Sequence, residues 1–176
     1  TRRRRRRSAS SASDKWKNKE WFDVRTPSYI DEKSLGNSPA SSDKHVVGRT
    51  IKTTLMELTG DFKDMNYELL FKVTNLDGNI ARTDFFGHEL SRDFMRAQVR
   101  NHSSKVDGIY TYKLSDESRI RVSTFIVTPA RIPSSEKKEL RKLVYEKLSE
   151  EVKELNFGAF VNKLISGELR DMLLEV

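Results

Sequence analysis

The chain has 176 residues, of which 36% are hydrophobic and 34% are charged, and its formal charge is +7. It contains no cysteine, which excludes disulfides, thiolate metal sites and cysteine nucleophiles. The length predicts one domain, and no apolar run approaches the roughly 18 residues that a membrane-spanning helix needs.

The excess positive charge lies at the start of the chain. Residues 1–19 hold nine Lys or Arg against one Asp, and because the whole chain carries +7, the other residues sum to −1. This segment has little apolar surface to bury, so we expect it to be disordered without a partner. Arginine and lysine bind phosphate without reading sequence, and the predicted RNA-binding cations are Arg2, Arg3, Arg4, Arg5, Arg6, Arg7, Lys15, Lys17 and Lys19.

Other interpretations of the basic segment stay open, namely a targeting signal, a membrane-surface patch or an engineered tag. Trp16 lies among its lysines. The indole either stacks on an exposed base or packs into the core where the chain enters the domain. Three large apolar residues cluster over residues 21–24, and there we expect Trp21 to fill the core.

The next region predicts a long loop followed by a strand. Residues 25–45 are rich in Ser, Asn, Asp and Gly and contain two prolines, a composition typical of loops. After Gly48, residues 49–58 alternate between two faces, which predicts a strand.

A hairpin and a helix are predicted over residues 67–102. Asp77-Gly78 separates two alternating runs, residues 67–74 and 80–86, and this is a strong hairpin signal. In the helix that follows, three cations spaced four residues apart share one face: they are Arg92, Arg96 and Arg100. Stacked cations repel one another, so an anionic partner is the simplest reason for them.

A second hairpin is predicted over residues 105–128. Its first strand has Tyr110, Tyr112 and Leu114 on one face, and its second strand points Arg119 and Arg121 outward, either to RNA or to solvent. Five or more antiparallel strands predict a small barrel or a strongly curled sheet, because closure avoids bare edges. The predicted fold class is therefore α+β, an antiparallel β-barrel flanked by α-helices.

Helices are predicted after residue 129. Ser134 or Ser135 is expected to cap the first of them, and an apolar stripe indicates core packing. A break is expected at residues 156–158, with two short helices after it. The first half of the first helix carries cations, against the preference of the helix dipole; these are Lys137, Lys138, Arg141 and Lys142. A phosphate partner and ordinary surface variation both account for this order.

The sequence contains no set of residues with a spacing typical of a catalytic site. The three histidines, His45, His88 and His102, have no metal-ligand spacing, and there is no phosphate-binding glycine loop or serine elbow. His88 is expected to cap or pack where a strand meets a helix, because adjacency to Glu89 alone is weak evidence for proton transfer. We therefore expect no cofactor, no metal site and no enzymatic activity.

Five segments together resemble one protein family. They are WFDVRTP at 21–27, GRTI with TTL at 48–55, FKVT at 71–74, HELSRD at 88–93 and VNKLI at 161–165. Their order and spacing are similar to those of the archaeal form of a small-subunit ribosomal protein shared by archaea and eukaryotes, called one-e and formerly three-A-e. The resemblance extends over residues 21–169.

The resemblance implies a structural protein of the cytoplasmic ribosome. It implies a β-barrel flanked by helices on the platform of the small subunit, near the messenger exit. Partners there would be small-subunit rRNA and neighbouring ribosomal proteins, with messenger RNA as an open addition and no membrane. Family members usually continue past the position of Val176 into a further strand, so closure of the barrel stays open.

Four regions summarise the predicted organisation. They are a basic RNA-binding tail at 1–19, an extended segment and loop at 20–45, an antiparallel β-barrel with one inserted helix at 46–128, and C-terminal helices at 129–176. The leading hypothesis is a ribosomal protein anchored to rRNA by its cations. The alternative is a free single-stranded-RNA-binding or messenger-regulating module that stacks bases on Tyr110, Tyr112 or Trp16.

Overall fold

A computed structural model describes Trp16 and residues 19–174 of the chain. The strands of this part are β1 Glu20–Arg25, β2 Ser34–Ala40, β3 Thr50–Thr54, β4 Tyr67–Asp77, β5 Ile80–Leu90, β6 Ser104–Lys113 and β7 Arg119–Thr128. Its α-helices are α1 Leu55–Thr59, α2 Arg92–Gln98, α3 Ser134–Lys153, α4 Phe157–Ser166 and α5 Glu168–Leu174. Short 3-10 helices span Ser28–Ile30, Asp43–His45 and Phe62–Asn66.

The strands form two separate sheets. A five-stranded sheet has the order β2-β1-β5-β4-β3, in which β1 and β5 run parallel and the other pairs are antiparallel. The strands β6 and β7 form a two-stranded antiparallel ribbon. The α+β class is confirmed, but the described residues contain no closed barrel.

Alternation explains why the barrel prediction was wrong. A period of two shows that a strand has one buried face, but it does not show which element covers that face. In the β6–β7 ribbon the cover is a helix: Tyr112 and Leu114 pack with Val144, Leu148 and other apolar residues of the C-terminal helices. The ribbon therefore buries its apolar side without joining the larger sheet.

The inner face of the five-stranded sheet carries two apolar clusters. Phe22 and Val24 of β1 pack with Val73 of β4, and Leu69 and Phe71 of β4 pack under residues of α1 and α4. Trp21 was expected in this core, but it is 57% exposed, because alternation along β1 turns Phe22 and Val24 inward and Trp21 outward. The β4–β5 hairpin follows the prediction and has two register shifts, which are sites of stronger local twist.

The predicted loop at 25–45 contains an edge strand. β2 pairs with β1 in an antiparallel register that joins Phe22 to Ser38 and Glu20 to Ala40. Gly36 and Pro39 are tolerated because an edge strand needs hydrogen bonds on one side only. The following strand is shorter than predicted, since β3 ends at Thr54 and α1 takes the next five residues.

Three helix boundaries also differ from the predictions. α2 ends at Gln98, and Val99 is already extended, so Arg100 lies outside the helix. Neither serine caps α3, because Pro133 occupies the N-cap and makes no side-chain capping bond. α3 ends at Lys153 and α4 begins at Phe157, so the break spans residues 154–156 and lies two positions before the expected 156–158.

α4 lies between the two halves of the fold. Phe160 packs in the cluster under the β6–β7 ribbon, and its neighbour Val161 packs in the cluster under β4. None of the helices in the described part is long and apolar enough to cross a membrane.

Candidate nucleic-acid interface

The predicted binding residues of the tail fall largely outside the described part. Arg2–Arg7, Lys15 and Lys17 are not described, so their contact with RNA stays a prediction. Trp16 is 61% exposed, and the Lys19 Nζ atom lies 3.7 Å from the centroid of its ring. This cation–π contact places an aromatic face and a cation together at the start of β1.

The basic half of α3 is fixed against β6. The Arg141 Nε donates a hydrogen bond to the carbonyl of Asp107 at 2.8 Å, and the Tyr110 hydroxyl donates to the carbonyl of Arg141 at 2.9 Å. Lys142 lies 3.7 Å from Glu146 on the same helix. The structure shows no ion pair between Lys137 or Lys138 and any described residue.

Further cations lie beside the start of α3. The Ile132 amide donates to Ser104 Oγ at 3.2 Å, which brings the start of β6 against the segment that leads into the helix. Lys105 follows Ser104 directly, Arg100 lies four residues before Ser104, and Arg131 precedes Ile132. We call these cations, together with the four of α3, the helix-end group: Arg100, Lys105, Arg131, Lys137, Lys138, Arg141 and Lys142.

Sequence reasoning missed two members of the helix-end group. Lys105 sits at the start of a strand and pairs with Asp107 at 3.0 Å. Arg131 lies between two prolines just before a helix that opens with lysines, and this was a usable signal. What could not be read from the sequence is that the start of β6 contacts the segment just before α3.

Arg119 and Arg121 lie at the opposite end of the ribbon. The register of β6 and β7 places Lys113 opposite Arg119 and Thr111 opposite Arg121, so the three cations share the solvent face. We call them the ribbon-tip group. Lys113 pairs with Glu117 at 3.2 Å, whereas neither arginine makes an ion pair with a described residue. Lys113 lies eight positions after Lys105 on β6, so the backbones of these two residues, one from each group, are about 26 Å apart.

The predicted stack of three arginines on α2 is not formed. Arg92 and Arg96 remain on the helix and are exposed, but Arg100 lies beyond its end. The Arg96 Nη1 is 3.8 Å from Asp93 Oδ1 in an exposed pair, which stabilises little.

Comparison with known proteins identifies the family to which this chain is similar. The Ribosomal S3Ae family matches residues 7–175. A curated protein of Saccharolobus solfataricus named small ribosomal subunit protein eS1 is 38% identical over 162 residues, which is 92% of this chain and 78% of that protein. The protein of the same name from Desulfurococcus amylolyticus is 36% identical over 163 residues, 93% of this chain and 76% of that protein.

The chain belongs to the Ribosomal S3Ae family. This confirms the resemblance drawn from the five sequence segments, including its archaeal type. Exposed cations at both ends of the β6–β7 ribbon are chemically suited to contact phosphate groups.

The tyrosines that the alternative hypothesis needed are not available in this S3Ae chain. Tyr110 and Tyr112 face α3, where both pack against Tyr145 with ring centroids 5.6 and 5.7 Å away. Tyr112 is 7% exposed, and burial raises the pKa of its hydroxyl to about 12. These rings hold the helix to the ribbon and cannot stack on bases.

His88 packs near the end of β5, shortly before α2 begins, as predicted. Its ring stacks on Tyr67 with centroids 5.6 Å apart, and burial lowers the pKa of the imidazole, which favours the neutral form. Arg170 of α5 binds the same tyrosine, since its Nη1 donates a hydrogen bond to the Tyr67 hydroxyl at 3.2 Å. The part of the chain that the structure describes holds no group of three or more potential metal ligands.

Proposed function

We propose that this protein is a structural constituent of the small ribosomal subunit and acts by binding rRNA through phosphate contacts. The observation that carries this proposal is the family match over residues 7–175. The curated relatives are named as proteins of the small ribosomal subunit, and a subunit component of this kind works in the cytoplasm within the ribosome. The role is structural and not enzymatic.

The proposed mechanism divides the cations by task. Arg2–Arg7 bind rRNA backbone phosphates as an arm, because guanidinium forks match phosphate oxygens and stay charged. The helix-end group and the ribbon-tip group contact phosphates at opposite ends of the ribbon, and two separated contacts fix the orientation of the body. Phosphate contacts position a protein and do not specify sequence.

The placement on the platform near the messenger exit is proposed from the family resemblance, as is contact with messenger RNA. Neighbouring ribosomal proteins would meet the near-neutral remainder of the body. Phe62 and Met65, which are 79% and 55% exposed on the 3-10 helix before β4, supply apolar surface for such a neighbour.

A free single-stranded-RNA-binding module remains the second candidate, since Trp16 and Lys19 form an exposed aromatic and cationic pair. A salt wash of purified small subunits separates the two candidates. A structural constituent stays with the subunit under the wash that removes initiation factors. Release of the chain together with those factors would overturn the structural role and favour the free module.

The role of the basic arm has its own test. Ultraviolet crosslinking in intact small subunits, read by mass spectrometry of the peptides, is expected to join rRNA to residues 1–19. Crosslinks confined to the folded body would show that the arm does not anchor the protein, while leaving its membership of the subunit intact.

A further inference from the structure

A polar cleft lies where β1 ends beside the β4–β5 hairpin, away from both cationic groups. Its volume is about 320 Å³. Residues 25–29 and Glu32 line one wall, and Thr74, Asn75, Ile80 and residues 82–84 line the other. Small-ligand sites span about 300 to 1,000 Å³, so the cleft matches a single nucleotide and is too small for a double helix.

Two arginines lie side by side at this cleft. Arg25 and Arg82 are partners in the parallel register of β1 and β5, so their backbones are about 4.8 Å apart and their side chains leave the same face. Both side chains are exposed, and like charges in adjacent positions of a sheet repel. An anion between the two guanidinium groups could accept hydrogen bonds from both of them.

The Nε atom of each guanidinium contacts a carboxylate. The Arg25 Nε donates to Asp23 Oδ2 at 2.9 Å, and the Arg82 Nε pairs with Asp77. Asp23 also accepts a hydrogen bond from the Ser34 hydroxyl, and these two bonds lower the pKa of Asp23 and keep it ionised. The terminal nitrogens of both arginines make no hydrogen bond to a described residue. Each guanidinium is therefore oriented by its carboxylate, and its terminal N–H groups are available to bind an anion.

The loop that carries Glu32 is held in a strained conformation. Asp31 and Glu32 have φ of 59° and 40°, a left-handed region that non-glycine residues rarely adopt. The buried Thr26 hydroxyl fixes the loop, donating to the Ile30 carbonyl at 3.0 Å and accepting from the Lys33 amide at 2.7 Å. Such strain persists where the surroundings enforce it, and it is concentrated at binding sites.

We propose that this cleft binds one unpaired nucleotide of an RNA chain, with Arg25 and Arg82 on its phosphate and Glu32 and Asp84 on its base. Carboxylates accept hydrogen bonds from the exocyclic amino group of cytosine, which uracil lacks. The inference rests on the proposed RNA-binding function and deepens it, because it assigns a single-stranded contact and a base preference.

The test compares RNA binding by the full chain and by single variants at constant ionic strength. Fluorescence anisotropy gives the dissociation constants for labelled oligocytidine, oligouridine and an RNA duplex. Loss of one charge-assisted phosphate contact in Arg82→Gln is expected to weaken oligocytidine binding about tenfold. Duplex binding, which uses the other cationic groups, is expected to stay unchanged.

Lys52→Gln is the matched control, since Lys52 is an exposed, ion-paired cation on β3 of the same sheet and lies outside the cleft. Equal effects of Arg82→Gln and Lys52→Gln on oligocytidine would overturn the cleft while leaving the proposed function in place. Failure of the unaltered chain to bind either single strand or duplex would overturn both.

A second variant tests the base contact separately. Glu32→Ala is expected to reduce the preference for oligocytidine over oligouridine while phosphate-dependent binding of both remains. An unchanged preference would show that Glu32 does not contact the base.

Discussion

Gly108 lies inside β6 directly under the ring of Tyr110. A Cβ at this glycine would lie 2.3 Å from Tyr110 Oη and 2.6 Å from Cζ. The ring is held there because its hydroxyl donates to the carbonyl of Arg141 and its face packs against Tyr145. The absence of a side chain at one residue therefore lets α3 approach the ribbon and keeps the helix-end group in position.

Replacing Gly108 by Ala should be destabilising. The added methyl forces the Tyr110 ring away from α3, and overpacking of this kind lowers the free energy of unfolding by about 1–3 kcal/mol. Urea denaturation followed by circular dichroism measures the change. Gly158→Ala in α4 is the control, because a Cβ there meets its nearest atom, Tyr29 Cβ, only at 3.8 Å and should cause no loss. Equal stability of Gly108→Ala and the unaltered chain would contradict the packing described.

At the scale of elements, α4 joins the two halves of the fold. Its consecutive residues Phe160 and Val161 are 6% and 0% exposed, and they belong to different apolar clusters. The Phe157 ring extends the contact, packing against Tyr29 and Phe85 with centroids 6.3 Å apart in each case. The five-stranded sheet and the ribbon should therefore unfold together and not as separate units.

Phe160→Ala tests this coupling. Truncation of a buried phenylalanine costs about 3–5 kcal/mol, and hydrogen exchange should show amides of both β4 and β6 losing protection. Leu174→Ala is the control, since Leu174 is 79% exposed at the end of α5 and its truncation should change stability by less than about 0.5 kcal/mol. Loss of protection in β6 alone would mean that the ribbon unfolds independently.

The elements also show what the sequence could predict. Both hairpins were predictable because alternation and turn residues such as Asp77-Gly78 act locally. β2 was missed because its composition is that of a loop and its pairing with β1 is a tertiary effect. Most cations of the site were predicted individually, but the contact between the start of β6 and the segment before α3 depends on the hydrogen bond from Ile132 to Ser104, which no local pattern contains.

At the scale of the whole molecule, charge is distributed very unevenly. Residues 1–19 carry +8 in a chain of +7, so the body is close to neutral. Within that body, seven cations form the helix-end group and three form the ribbon-tip group, at the two ends of the β6–β7 ribbon. Most of the non-specific attraction to RNA should therefore come from the arm, while the two groups on the body determine how the protein is oriented.

The salt dependence of binding measures these contributions separately. On duplex RNA, each phosphate contact contributes about −0.9 to the slope of log affinity against log salt concentration. Replacing Arg2–Arg7 by Gln should make that slope less steep by about five units, and Arg119→Gln with Arg121→Gln by about two. Lys52→Gln, which removes a cation already paired with Glu68, should leave the slope unchanged. If the arm variant kept the full slope while the ribbon variant lost it, the body and not the arm would supply the main attraction to RNA.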